Sequence, residues 1–136
     1  MAVTYLLDTS VVTRLRVPAV RARVQALDTA GLARTAMTDL EVGFSARDTA
    51  EWDRLMTALE TFQLVEIVPS HFTRARQVQR LLAQRGLKGR KVPDLVIAAA
   101  GEGTSRTVLH YDADFDHIAS VTGQATEWIV AKGTID

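Results

Sequence analysis

The stretch VTYLLDTS, residues Val3 to Ser10, contains the pattern on which the fold prediction rests. A short apolar and β-branched run ends abruptly at Asp8, which predicts a buried strand followed by a polar turn. The same pattern returns late in the chain, where VLHY at Val108–Tyr111 is followed by Asp112. Each of these two strands therefore places a carboxylate directly after buried structure.

Helical and strand patterns alternate through the rest of the chain. Helices are predicted over Pro18–Gly31, from Thr38, over Thr49–Phe62, Ser70–Gly86, Pro93–Gly101 and Phe115–Thr122, with further strands over Leu32–Met37, Leu64–Val68 and Glu127–Val130. The apolar stripe of the third helix, formed by Trp52, Leu55, Met56 and Leu59, is interpreted as core. This alternation of strands and helices predicts an α/β fold around a parallel sheet.

The composition limits the classes of protein to consider. A chain of 136 residues that is 47% hydrophobic and 24% charged predicts one globular domain, spanning residues 1–136. The absence of cysteine excludes thiolate zinc sites and thiol nucleophiles and is typical of a reducing compartment. The longest apolar run, Leu95–Ala100, is far shorter than the ~20 residues that cross a bilayer. We therefore expect a soluble, cytoplasmic protein with no membrane partner.

The carboxylates fall where such a sheet would bring them together. Ligands of open parallel sheets bind beyond the carboxyl ends of the strands, where the strand order reverses. Asp8 and Asp112 would share that crevice if their strands are neighbours, and Glu41 and Asp94 occupy first helical turns nearby. Several carboxylates in one cleft repel each other, and a divalent cation relieves the repulsion. All-oxygen ligands favour Mg²⁺ or Mn²⁺, which suit phosphoryl transfer or phosphodiester hydrolysis.

Each acid also has a purely structural interpretation. Asp8 would cap the turn after the first strand, and Glu41 would complete a capping box with Thr38. Asp94 would be favoured by the dipole of its helix. The joint placement of the acids favours the functional interpretation. A weaker signal is basic: Arg14, Lys88, Arg90 and Lys91 form a candidate surface for an RNA backbone.

Four segments resemble, in order, the acidic motifs of PIN-domain ribonucleases, and more closely those of VapC-type toxins of bacterial toxin–antitoxin pairs. They are LLDTSVV at Leu6–Val12, TDLEVGFSA at Thr38–Ala46, PDLVIAAAG at Pro93–Gly101 and VLHYDADFDHIA at Val108–Ala119. The resemblance implies a three-layer sandwich with a parallel five-stranded sheet, order 3-2-1-4-5, and helices on both faces. It implies catalytic and metal-binding roles for Asp8, Glu41, Asp94 and Asp112, with Asp114 as a further metal ligand.

The same resemblance implies an activity and partners. The protein would be a Mg²⁺- or Mn²⁺-dependent endoribonuclease that cuts tRNA or ribosomal RNA, with a VapB-type antitoxin as its partner in a homodimer or hetero-oligomer. One departure is His110, since many relatives have a threonine near the fourth acid; Ser10 could supply a supporting hydroxyl from the opposite side. The alternatives are a PIN-like module that binds RNA or a partner without cutting, and a receiver-type signalling domain.

Overall fold

The computed structural model describes residues 4–27, 31–87 and 91–136 and contains a five-stranded parallel sheet. Its strands are β1 (Tyr5–Leu7), β2 (Leu32–Arg34), β3 (Gln63–Leu64), β4 (Thr107–His110) and β5 (Thr126–Trp128), arranged in the order β3-β2-β1-β4-β5. The predicted fold class and strand order are confirmed. In this order β1 lies between β2 and β4. After β1, the chain first adds β2 and β3 on one side of it and then adds β4 and β5 on the other side. The carboxyl ends of β1 and β4 therefore border the switch point at which such sheets bind ligands.

Helices cover both faces of the sheet. They are α1 (Thr9–Val12), α2 (Pro18–Ala26), α3 (Ala36–Phe44), α4 (Thr49–Leu59), α5 (Pro69–Gln84), α6 (Val92–Gly103) and α7 (Asp114–Thr122). Adjacent strand residues point to opposite faces. Leu6 packs in a core with α5, α6 and α7, whereas Leu7 packs in a second core with α1 and α2. This gives three layers with the sheet in the middle. Within the described ranges, no helix combines the length and apolarity needed to span a membrane.

Several predicted boundaries are wrong. The second strand ends at Arg34 instead of Met37, because Thr35 is the N-cap of α3 and Thr38 lies inside that helix. An ion pair of 2.8 Å between Arg34 and Asp39 holds the strand end against the first turn of the helix. The third strand has only two residues, and the fifth ends at Trp128. Val3 of the first predicted strand lies outside the described residues.

The interpretation of the α4 stripe as core is also wrong in part. Leu59 is buried, but Leu55 and Met56 are only half-buried and Trp52 is 47% exposed. The reason is that α4 packs mainly against α3 and makes little contact with the sheet. An apolar stripe on a helix therefore predicts that this face packs against another surface, but it does not identify that surface.

Candidate active site

Asp8 begins the site at the end of β1. Its carboxylate is the N-cap of α1, and Oδ2 accepts hydrogen bonds from the Ser10 amide at 3.0 Å and the Ser10 hydroxyl at 2.6 Å. The structural interpretation of Asp8 as a cap is therefore correct for one of its two oxygens. The other oxygen, Oδ1, is buried and has no hydrogen-bond partner among the described residues. That oxygen is available to a ligand.

Ser10 connects the ends of the two central strands. Its hydroxyl donates to Asp8 and accepts a hydrogen bond of 2.9 Å from the Tyr111 amide, just after β4. The Asp8 amide in turn donates to the carbonyl of Leu109 at 2.9 Å. These contacts tie Asp8 to the backbone after β4; the supporting role of Ser10 stays a prediction.

Thr9 holds Glu41, and Thr38 contacts Thr9. The Thr9 hydroxyl donates to Glu41 Oε1 at 2.7 Å, and its oxygen lies 2.9 Å from the hydroxyl oxygen of Thr38. The capping-box interpretation of Thr38 and Glu41 is therefore wrong: both side chains contact α1 instead of their own helix end. Sequence reasoning missed Thr9 and Thr38 as positioning residues, because the contacts join residues about thirty positions apart. Their only signal was their place within the motifs around Asp8 and Glu41.

Three acids form the closest group at the site. Asp94 in the first turn of α6, Asp112 after β4 and Asp114 at the start of α7 offer carboxylate oxygens that lie within 4.8 Å of one another. The amide of Asp114 donates to Asp112 Oδ1 at 2.9 Å, which fixes the turn between β4 and α7. Asp8 and Glu41 lie beside this group without belonging to it.

The charges of these acids interact strongly. Burial, followed by the charges of Asp8 and Asp112, raises the pKa of Asp94 to about 8. Burial also raises the pKa of Asp8, and the neighbouring charges of Glu41 and Asp112 add to the effect. Burial acts to raise the pKa of Asp112 too, but hydrogen bonds from the Asp114 amide and the Lys91 ammonium outweigh it and hold that pKa below its usual value. The site therefore favours cations.

The residues fit a hard divalent cation. Asp94 Oδ2 is buried without a hydrogen-bond partner in the described part of the chain, as is Asp8 Oδ1. The Lys91 ammonium, 2.9 Å from Asp112 Oδ2, shows that a positive charge is favourable there. Carboxylate oxygens are the ligands that Mg²⁺ and Mn²⁺ prefer.

Comparisons with known proteins identify the family. The sequence model of the PIN domain matches residues 5–121. The chain is 62% identical to Ribonuclease VapC51 of Mycobacterium tuberculosis, over the full length of both proteins. It belongs to the PIN domain family, among the VapC ribonucleases. Ribonuclease VapC21 of the same species is 42% identical, over 98% of this chain and 99% of its own. The predicted family is confirmed, and the receiver-type alternative is not favoured.

Solved structures agree with this PIN domain fold. DNA-bound VapBC from Salmonella typhimurium superposes with a TM-score of 0.74 at 15% identity, covering 95% of this chain and 100% of the other. A toxin–antitoxin complex from Klebsiella pneumoniae gives 0.73 at 19% identity, covering 93% and 98%. At these identities the likeness concerns the fold.

His110 is a residue of this PIN domain that sequence reasoning did not assign to the site. Its ring is fully buried, stacks on Phe115 at 4.9 Å and lies 4.9 Å from the Trp128 ring. Its Nδ1 accepts a hydrogen bond of 3.2 Å from the amide of Asp112. Burial lowers the pKa of His110 to about 4, so the ring stays neutral and able to accept. The available signal was its position two residues before the fourth acid.

The predicted basic surface is only partly described. Lys88 and Arg90 lie outside the described residues. Arg14 forms an ion pair with Asp136 at 2.9 Å and donates to the carbonyl of Ser10, so its guanidinium already has acceptors within the protein. Lys91 points to Asp112 in the site itself. Contacts of these four residues with RNA stay a prediction.

Proposed function

We propose that this protein is the toxin of a type II toxin–antitoxin system and hydrolyses RNA phosphodiester bonds with the help of Mg²⁺ or Mn²⁺. The observation that carries the proposal is the group of Asp94, Asp112 and Asp114 at the switch point of a VapC-family fold. The names of the relatives, all ribonucleases, support RNA as the substrate. Inhibition of translation through cleavage of tRNA or ribosomal RNA is the corresponding biological outcome.

The side chains divide the work of the reaction. Asp94, Asp112 and Asp114 would hold the metal, which when bound would lower the pKa of a water and neutralise charge on the phosphate. Asp8 would be a further metal ligand through Oδ1, because that oxygen is buried and has no partner among the described residues. Glu41, held by Thr9, adds negative charge beside Asp8 and can bind the metal through water. Arg14, Lys88, Arg90 and Lys91 are proposed to contact the RNA backbone.

The test uses cellular RNA. Bacterial total RNA is incubated with Mn²⁺ and either the wild-type protein or Asp94→Asn, and all new 5′-phosphate ends are sequenced. We expect discrete ends that only the wild type produces, which would identify the target together with the activity. Identical end profiles from the two folded proteins, with Mn²⁺ bound to the wild type, would contradict the proposal and favour the PIN-like module that binds without cutting.

An apolar groove beside the site is the proposed place for the antitoxin. It has a volume of about 490 Å³ and contains Glu41 and Arg16. Its apolar lining comes from α1, the α1–α2 connection, α3, α4 and the turn after α4: Val12, Leu15, Val42, Leu55, Leu59 and Phe62. The solved VapBC structures support a VapB-type partner. An apolar segment of that partner would cover this groove. A hydrogen-bond acceptor in the segment could pair with Arg16, and a basic group in the segment could pair with Glu41.

A second apolar surface is the proposed homodimer contact. Phe72 on α5 is 50% exposed and Val92 on α6 is 62% exposed. Both border a shallow groove that is lined by Met37, Ala75, Leu95 and Val96 as well. Phe72 shares the helical stripe of the buried residues Ala75, Val78 and Leu82, yet its own side chain is half exposed. None of the residues lining this surface lines the groove beside Glu41.

A further inference from the structure

Lys91 places a positive charge inside the acidic site. It immediately precedes α6, and its Nζ lies 2.9 Å from Asp112 Oδ2 and 3.9 Å from Asp94 Oδ2. The hydrogen bond to Asp112 raises the pKa of Lys91, so the ammonium is charged at every physiological pH. Two of the three acids that could hold a metal therefore already face a cation supplied by the protein.

The two sides of this contact differ in exposure to solvent. Asp94 and Asp112 have side chains that are 5% and 20% exposed, whereas the Lys91 side chain is 62% exposed. A lysine ammonium ends a flexible four-carbon stem, so it can swing into water at little cost. The acids cannot follow it, since Asp112 is tied to the amide of Asp114 and Asp94 is buried in the first turn of α6. An incoming metal would displace the lysine and leave the acids in place.

The other cations near the site do not compete for these acids. Arg14 is paired with Asp136, and Lys132 lies over the ring of Trp128 at 5.7 Å. Among the cationic side chains that the structure describes, Lys91 alone is ion-paired with Asp94 and Asp112.

We propose that Lys91 is a positioning residue that stands in for the metal, holding Asp94 and Asp112 together in the metal-free protein and giving way when the metal binds. This inference rests on the proposed function, because it requires the metal site. Its consequence is that Lys91 lowers the affinity of the site for the metal while it stabilises the metal-free protein.

The test compares the Mn²⁺ affinities of the variants in titrations that are monitored by electron paramagnetic resonance. Lys91→Met should bind Mn²⁺ about three- to tenfold more tightly than the wild type, since an exposed ammonium contributes a modest competing interaction. Its melting temperature in EDTA should be lower than that of the wild type. Lys91→Arg keeps the positive charge and should match the wild type in Mn²⁺ affinity and in melting temperature. Lys132→Met removes an equal charge elsewhere and should change neither.

The possible outcomes are distinct. If the wild type binds Mn²⁺ and Lys91→Met binds it equally or more weakly, the inference is wrong while the proposed function stands. If the wild type binds no Mn²⁺, the metal site and the inference both fall. Should Lys91→Met fail to fold by circular dichroism, Lys91→Gln, which keeps a polar side chain, takes its place with the same expectations.

Discussion

Asp94 shows how a single buried acid links stability to pH. Its pKa is raised to about 8, far above the usual value for aspartate, first by burial and then by the neighbouring acids. A carboxyl group whose pKa is higher in the folded than in the unfolded chain contributes stability at low pH and loses it as the pH rises towards the folded value. Asp94 therefore destabilises the metal-free protein increasingly between about pH 4 and 8.

We expect Asp94→Asn to be more stable than the wild type in EDTA, with a gain that grows from pH 5 to pH 8. Asparagine keeps the shape of the side chain and removes the charge. Thermal melts of both proteins across this range check the prediction. Because His110 titrates in both proteins, its contribution cancels when the two melting temperatures are subtracted at each pH. A variant that melts below the wild type at pH 8 would show that Asp94 has a structural role instead.

His110 affects the site through one hydrogen bond. Replacement by leucine keeps a similar volume but leaves the amide of Asp112 without its acceptor, which costs about 1–3 kcal/mol for a buried group. We expect His110→Leu to bind Mn²⁺ and to cleave RNA more weakly, because the Asp112 backbone is released. His110→Asn retains an acceptor near the position of Nδ1 and should lose stability, through the missing ring contacts, more than it loses Mn²⁺ affinity. Equal Mn²⁺ affinities for the two variants would contradict this role.

At the scale of elements, the packing of α6 on the sheet positions Asp94. A Cβ atom at Gly101 would lie 2.5 Å from Val108 Cγ2 and 3.7 Å from Leu6 Cδ2. Val108 and Leu6 are fully buried in the central strands. The glycine thus allows the helix to lie close to β1 and β4, the two strands that are followed by Asp8 and Asp112.

We expect Gly101→Ala to destabilise the protein by about 1–3 kcal/mol through overpacking, as measured by urea unfolding. Gly31→Ala is the matched control, since nothing lies within 4 Å of a Cβ atom there. Val108→Ala removes the methyl group in conflict, so the double variant with Gly101→Ala should lose less than the sum of the two single losses. Additive losses would mean that the close contact is relieved in some other way.

At the scale of the whole molecule, the two apolar surfaces should separate two assemblies. Leu55 lines the groove beside Glu41, and Phe72 lies on the proposed dimer contact. We expect Leu55→Asp to weaken binding of the VapB-type antitoxin at least about tenfold, because it buries a charge in an apolar contact, and to leave the dimer intact. Phe72→Asp should disrupt the dimer and leave the affinity for the antitoxin unchanged.

Light scattering measures the oligomeric state, and calorimetric titration measures the affinity for the antitoxin. Each variant serves as the control for the other, since each adds one aspartate to an apolar surface. If both variants lose the same property, the two surfaces form one interface and the separate assignment is wrong.

The sequence by itself determined the fold class and, through the family resemblance, the strand order, and it predicted the acids proposed for the site. Asp8 and Asp112 could be found because each interrupts an apolar run at the end of a strand, a local pattern that needs no knowledge of contacts. The boundaries of β2 and α3 were missed, because Thr35 and Thr38 are equally good caps and only the Arg34–Asp39 pair and the packing of Thr38 on Thr9 distinguish them.

Only the tertiary structure decided how the acids are held. Four hydrogen bonds depend on the assembled layers. Two join side chains, Thr9 to Glu41 and Lys91 to Asp112, and two join a side chain to a backbone amide, Ser10 to Tyr111 and His110 to Asp112. The exposure of Trp52 and Phe72 was decided there too, since an amphipathic pattern records an apolar face but not its neighbour. Local chemistry thus predicted the acids proposed for the site, and long-range packing determined the direction of their pKa shifts and the side chains that support them.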